Sequence, residues 1–406
     1  MKYITYAIFL LIPFINQASV AEHILLVDIP VLMGSLLLPF SFKSRRQEIG
    51  VLDFLVIAYL VSNLLSVAVG IESLYESARY YRHMVLGPVL LYAVVRFSPL
   101  SLYQLRKAMF FMLPGIFFQG FLLIKYYLIN HSRPVGVEGV SSIVTLSVLF
   151  CISLFILFWG NFKQMGVAKW VLRLILTIAF FAMLSVTYTR AAIISFVILL
   201  PFVHIIWTKK HLRKIFGAIV LTSIVTLFVL LVAGTIISTK PIKVENQKEV
   251  QRSASRLYEK NLYAKDLGER FAFWSTQTRR ALQHPILGSG ASSYKIEKGD
   301  LGGNKFQMAS SHNILVSTLM TSGLVGICLL LLIIMTVFYS FNEFVADKNI
   351  NSFGKILMAS FTVMLMVCLT NDFTGGRILI WFLLLSLIAK IRAESQQMIK
   401  NRLNFN

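Results

Sequence analysis

Two arginines and a histidine carry the strongest chemical signal in this sequence. Arg190 stands in Thr187-Tyr188-Thr189-Arg190-Ala191-Ala192 with no acid beside it, so its guanidinium is able to fork onto phosphate oxygens. A snorkelling arginine at a helix start is the blander alternative. Arg270 opens Arg270-Phe271-Ala272-Phe273-Trp274, where the adjacent Glu269 is a rival structural partner; Arg279 and Arg280 follow two to three turns on. His312 comes after Ser310 and Ser311, both good N-cap residues, which places it in the first turn of a helix. The helix dipole there disfavours the imidazolium and keeps the ring neutral, the state that a general base needs. The alternative is an interfacial histidine bonded to backbone. Asp372, in Asn371-Asp372-Phe373-Thr374-Gly375-Gly376-Arg377, either orients His312 or pairs with Arg377.

These residues are set among apolar segments that dominate the chain. Of 406 residues 57% are hydrophobic and 14% charged, against roughly 25% charged in an ordinary soluble domain, and the mean hydropathy is +0.73. The hydropathy pattern predicts an all-α, polytopic transmembrane bundle of about 12 spans, at 3–20, 23–41, 50–70, 83–98, 105–130, 139–160, 170–188, 191–207, 215–238, 313–338, 354–371 and 377–392. Met1–Ala21 also ends in a passable signal-peptide cleavage site, Ser19-Val20-Ala21, but reads better as a retained first span. Asp28 is read as an acid buried inside the second span, where intramembrane acids usually have a task.

Alternate loops are basic: Lys43, Arg45 and Arg46; Arg96, Arg106 and Lys107; Lys163, Lys169 and Arg173; Lys209, Lys210, Arg213 and Lys214. The positive-inside rule then puts both termini in the cytoplasm. The chain divides into spans one to nine (1–238), a long outer loop (239–311), spans ten to twelve (312–392) and a cytoplasmic tail (393–406). The loop is basic and wants an anionic partner. Within it, Leu262 to Gln283 reads as an amphipathic helix at the membrane surface, closed by His284-Pro285 and the turn residues Gly288 and Gly290. With this topology Arg190, Arg270, His312, Asp372 and Arg377 all fall on the outer face.

Other chemistries lack their signatures. The net charge of +21 is spread between spans, without the aromatic and phosphate-binding spacing of a nucleic-acid face. Cys151, Cys328 and Cys368 lie in apolar runs and read as small buried hydrophobes. There is no P-loop, no nucleophile elbow, no Cys/His zinc set and no outer cluster of acids spaced for a metal.

The pattern resembles the O-antigen ligase and polymerase superfamily of bacterial envelope membrane glycosyltransferases. The ligase branch has a motif of His, then Asn, Ser or Gln, nine residues, Gly, two residues, and Gly, Thr or Tyr; here it is His312-Asn313, Ile314 to Ser322, Gly323 and Gly326. A second motif, arginine followed after three residues by leucine, has Ile194 in the leucine place behind Arg190. The segment from Arg270 to Gly290 resembles the second functional arginine region, and Asp372 falls where a functional acid is expected.

The resemblance implies a donor glycan on undecaprenyl diphosphate and an acceptor hydroxyl on lipid A-core, at the periplasmic face of the bacterial inner membrane. It implies an inverting transfer with no metal and no cofactor, catalysed by His312, Arg190 and Arg270. Arg279, Arg280, Asp372, Arg377 and Asn313 are the substrate-binding candidates. The rivals are a polymerase extending lipid-linked repeat units and a small-anion transporter; a transporter should show polar or broken helices near the midplane, whereas the spans, apart from Asp28, read as apolar through their centres.

Overall fold

The computed structural model describes residues 1–14, 19–21, 24–25, 27–44, 49–69, 81–131, 142–160, 167–237, 274, 277–279, 281–288, 290, 295–296, 307–308, 313–343, 348–371 and 376–403. Its helices are α1 Lys2–Leu11, α2 Asp28–Ser44, α3 Val51–Val69, α4 Gly87–Arg96, α5 Leu102–Phe110, α6 Met112–Asn130, α7 Ile143–Trp159, α8 Val167–Val186, α9 Arg190–Thr208, α10 Lys210–Ile237, α11 Ile314–Glu343, α12 Lys348–Thr370 and α13 Gly376–Leu403. Two short antiparallel strand pairs, Ser19–Ala21 with Ile24–Leu25 and Lys295–Ile296 with Gln307–Met308, are the described exceptions to an all-helical chain.

Among the described residues seven helical stretches are long and apolar enough to cross a membrane: Val51–Ala68, Leu102–Asn130, Val167–Val186, Arg190–Trp207, His211–Ala233, Ile314–Asn342 and Asn351–Thr370. Four shorter apolar helices accompany them, Lys2–Phe14, Asp28–Pro39, Met84–Arg96 and Ile143–Trp159. By length and composition these helices give the chain the character of a multi-pass membrane protein. Backbone groups in lipid must be satisfied within the segment, which is why such sequences form helices.

Position in the bundle follows the distribution of apolar residues. In α7 every residue from Thr145 to Leu157 is buried, so a helix apolar on all sides sits in the centre. The helix α8 instead exposes Trp170, Leu172, Ile175 and Ile178, an outer surface suited to lipid. The closest partnerships are α13 with α4, α11 with α3, α9 with α12, and α12 with α7.

One end of the bundle is locked by buried polar pairs. Arg96 and Asp53 form a salt bridge at 3.1 Å with both side chains almost fully buried, and the Tyr92 hydroxyl donates to Asp53 Oδ1 at 2.5 Å. Lys390 donates to the Ser98 carbonyl, Arg213 Nη1 donates to the Trp207 carbonyl at 2.7 Å, and Trp207 Nε1 donates to Asn351 Oδ1. Two single residues differ from expectation. Asp28 opens α2 rather than lying inside it, where the positive helix end favours an acid. Cys328 is exposed, whereas Cys151 and Cys368 are buried.

Candidate functional site at the ends of three helices

Opposite the Arg96–Asp53 end, three helices begin together. A tight turn produces the first. The Thr187 hydroxyl donates to the Leu184 carbonyl at 2.6 Å and accepts from the Thr189 amide at 3.2 Å, while Tyr188 takes a left-handed φ of 51°. Thr187 and Thr189 are buried, so the turn is anchored and Arg190, first residue of α9, emerges exposed. Tyr188 Oη donates to Tyr127 Oη at 3.1 Å, bringing the end of α6 to the same edge.

The second beginning is α11. Asn313 Oδ1 accepts from the amides of Leu315 at 2.8 Å and Val316 at 3.4 Å, the N-cap pattern. The cap expected at Ser310 or Ser311 is therefore Asn313, and the helix starts at Ile314, so in sequence His312 precedes the cap instead of following it. Asn313 Nδ2 also donates to the Leu369 carbonyl at 3.0 Å, joining the start of α11 to the end of α12. Trp207 lies seventeen positions after Arg190 along α9, and Leu369 eighteen positions after Asn351 along α12. Because Trp207 bonds Asn351 at the far end, both helices rise about 26 Å to the same level. The third beginning is α13, with Arg377 as its second residue and 6% exposed.

The electrostatic consequence is direct. Each helix start contributes roughly half a positive charge, and at α11 the Leu315 and Val316 amides are already taken by Asn313 Oδ1. Two of the three carry an arginine, a placement that disfavours the bare protein by ~0.3–1 kcal/mol each and favours a bound anion. Such an end can hold phosphate oxygens.

Of the remaining candidates, Arg279 is exposed on the helical turn Gln277–Arg279, whose neighbours Gln277, Thr278 and Ala281 are buried. Of the amphipathic helix expected over 262–283, the described residues are Trp274, Gln277–Arg279 and Ala281, which are helical, and Leu282 and Gln283, which form a turn. Arg270, Arg280, His312 and Asp372 lie outside the described residues.

The sequence reading missed a break in α11. Gly323 has φ 62° and ψ −157°, conformations closed to other residues. The stretch before it is polar and buried: Ser322 Oγ donates to Asn63 Oδ1 at 2.8 Å, Ser66 Oγ donates to the Thr321 carbonyl, and Ser317 and Thr318 are also covered. This polar run occupies the first third of α11, ahead of its centre. Gly326 makes room across the break within α11 itself, since a Cβ there would come within 2.4 Å of Ser322 Cβ. The run Ser317, Thr318, Thr321, Ser322 ahead of two glycines was the signal available in the sequence.

Residues 174–331 match the family model described as O-Antigen ligase. The matched stretch begins inside α8 and ends inside α11, taking in Arg190, the long loop, Asn313 and both motif glycines; Arg377 lies beyond it. No curated protein matches the chain.

Proposed function

Residues 174–331 belong to the O-antigen ligase and polymerase superfamily, whose members use lipid-linked glycans in a membrane, and from that premise we propose that this protein is an O-antigen ligase of lipopolysaccharide biosynthesis. It transfers a glycan from undecaprenyl diphosphate to a sugar hydroxyl of lipid A-core. The reaction takes place on the periplasmic face of the inner membrane of a bacterial cell, within a bundle of about twelve spans.

The observation that carries this reading is the gathering of Arg190, Asn313 and Arg377 at three helix beginnings on one end of the bundle. Arg190, with Arg270 from the loop, binds the diphosphate and offsets the charge that develops as it leaves the anomeric carbon. His312, next to the Asn313 cap, takes the proton from the attacking hydroxyl, and a single displacement inverts the anomeric centre. Arg279, Arg280, Asp372 and Arg377 line the substrates, while Asn313, expected among them, is fully buried and bonded through both ends of its amide, and instead holds the start of α11 in place. The arginines do the work that a metal does elsewhere, so the transfer is metal-independent.

The break in α11 does not favour a transporter. Three of the backbone groups it frees are met by the chain itself: Ser66 donates to the Thr321 carbonyl, and the Leu324 and Val325 amides donate to carbonyls of the loop. A solute pathway would leave such groups facing a cavity.

Purified protein supplied with undecaprenyl-diphosphate glycan and lipid A-core tests the proposal. Glycan should appear on lipid A-core at an unchanged rate in excess EDTA, and His312→Ala should lower that rate by ~10²- to 10⁴-fold. Lengthening of the lipid-linked donor, with lipid A-core untouched, would instead identify a polymerase.

A further inference from the structure

At Gly323 the broken helix meets the turn Pro285–Gly288 of the long loop, backbone against backbone. The Leu324 amide donates to the Pro285 carbonyl at 2.8 Å, and the Val325 amide donates to the Ile286 carbonyl at 3.2 Å. In an unbroken helix those amides would use the carbonyls of Met320 and Thr321. The loop thus supplies the two acceptors that the break removes.

The contact is closed from both sides. A Cβ on Gly323 would lie 2.3 Å from the Ile286 carbonyl oxygen and 2.6 Å from the Gly288 nitrogen. One on Gly288, at φ 72°, would lie 2.6 Å from the Met320 carbonyl oxygen and 2.7 Å from the nitrogens of Ser322 and Gly323. All of these are main-chain atoms, which cannot swing aside as a side chain would. The Ile286 side chain takes no part and is 66% exposed.

The two parts so joined each lead to the candidate site. From the turn the chain runs back through Gly288 N–H to the His284 carbonyl at 2.9 Å, His284 N–H to the Ala281 carbonyl at 3.1 Å and Leu282 N–H to the Thr278 carbonyl at 3.0 Å, reaching Arg279. From Gly323 the other way, Ile314 to Ser322 forms a helical rod of nine residues, about 14 Å long, that ends at the Asn313 cap. We infer that Gly288 and Gly323 form a clasp that sets the loop against the Asn313 end of α11, which makes both of them positioning residues. The clasp stands on its own contacts; its role in transfer rests on the ligase reading.

The test uses the full chain with Cys151→Ala, Cys328→Ala and Cys368→Ala, Ile286→Cys and Leu324→Cys, and a protease site inserted in the loop before Trp274. A short bifunctional thiol reagent should tie the two fragments together after cleavage. Adding Gly288→Ala or Gly323→Ala should abolish that link. In the otherwise unaltered protein, either glycine substitution should lower kcat for glycan transfer by up to ~10²-fold through misplacement and raise the KM for the lipid-linked donor, because the loop that the clasp sets carries Arg270 and Arg279. Ile286→Ala keeps its carbonyl and should keep full activity.

A link that forms equally in both glycine variants overturns the clasp. Loss of the link with kcat unchanged overturns the positioning role. Should the wild-type protein transfer no glycan, the ligase reading and the positioning role fall together, and the cross-link alone decides the clasp.

Discussion

The side-chain amide of Asn313 bonds the Leu369 carbonyl at 3.0 Å while its oxygen caps α11 through the Leu315 and Val316 amides. One fully buried residue therefore joins the neighbour of His312 to the end of α12, three residues before Asp372. The two halves of the function separate by substitution. Asn313→Ser keeps a cap and loses the bond to Leu369; Asn313→Ala loses both. The cap is worth ~1 kcal/mol, and a buried carbonyl left without its donor costs about 1–3 kcal/mol. Thermal unfolding in detergent should rank wild type above Ser above Ala, with glycan transfer in the same order. Equal stability of all three would show that neither bond contributes.

Arg190 tests the anion-binding end. Its backbone is held by the buried Thr187 and Thr189, so Arg190→Ala should leave membrane levels intact and reduce transfer by ~10²-fold or more, the usual effect of removing one donor to developing charge. Arg190→Lys should recover only part of the rate, since an ammonium lacks the planar fork. Wild-type activity in Arg190→Ala would mean that the guanidinium only snorkels.

The Asp53–Arg96 pair makes a prediction about stability alone. Removing one member of a buried pair strands the other charge, at a cost of about 3–5 kcal/mol, whereas replacing both with apolar groups is often neutral. Asp53→Leu or Arg96→Met singly should therefore lower the thermal midpoint, and the double variant should recover most of the loss. Additive losses in the double variant would show that the two charges do not depend on each other.

Orientation is checked by fusion reporters. The helix ends carrying Arg190 and Asn313 lie together, away from the Arg96, Arg213 and Lys390 end. A reporter after Gly290 should report the periplasm and one after Lys210 the cytoplasm. Exchanged signals would place the site on the inner face and remove the proposed donor.

Much of this molecule is readable without coordinates, because the forces involved are local. An apolar run such as Leu146 to Leu157 forms a helix in lipid wherever it is packed, since each of its backbone groups finds a partner four residues away. The spacing of Asn313, Gly323 and Gly326, and the isolation of Arg190 from any neighbouring acid, were equally visible. Tertiary structure decided the rest through partners distant in sequence. The cap of α11 went to Asn313 because that residue also reaches Leu369 on another helix. The nine-residue spacer became a rod between a cap and a break because Pro285 and Ile286, almost forty residues earlier, supply the acceptors for Leu324 and Val325. Arg96, legible only as one basic residue of an inner loop, is buried against Asp53, since the packing of α3 beside α4 closes around them both. A hydropathy pattern specifies which segments leave water; which backbone group meets which across the bundle depends on close packing among all of them at once.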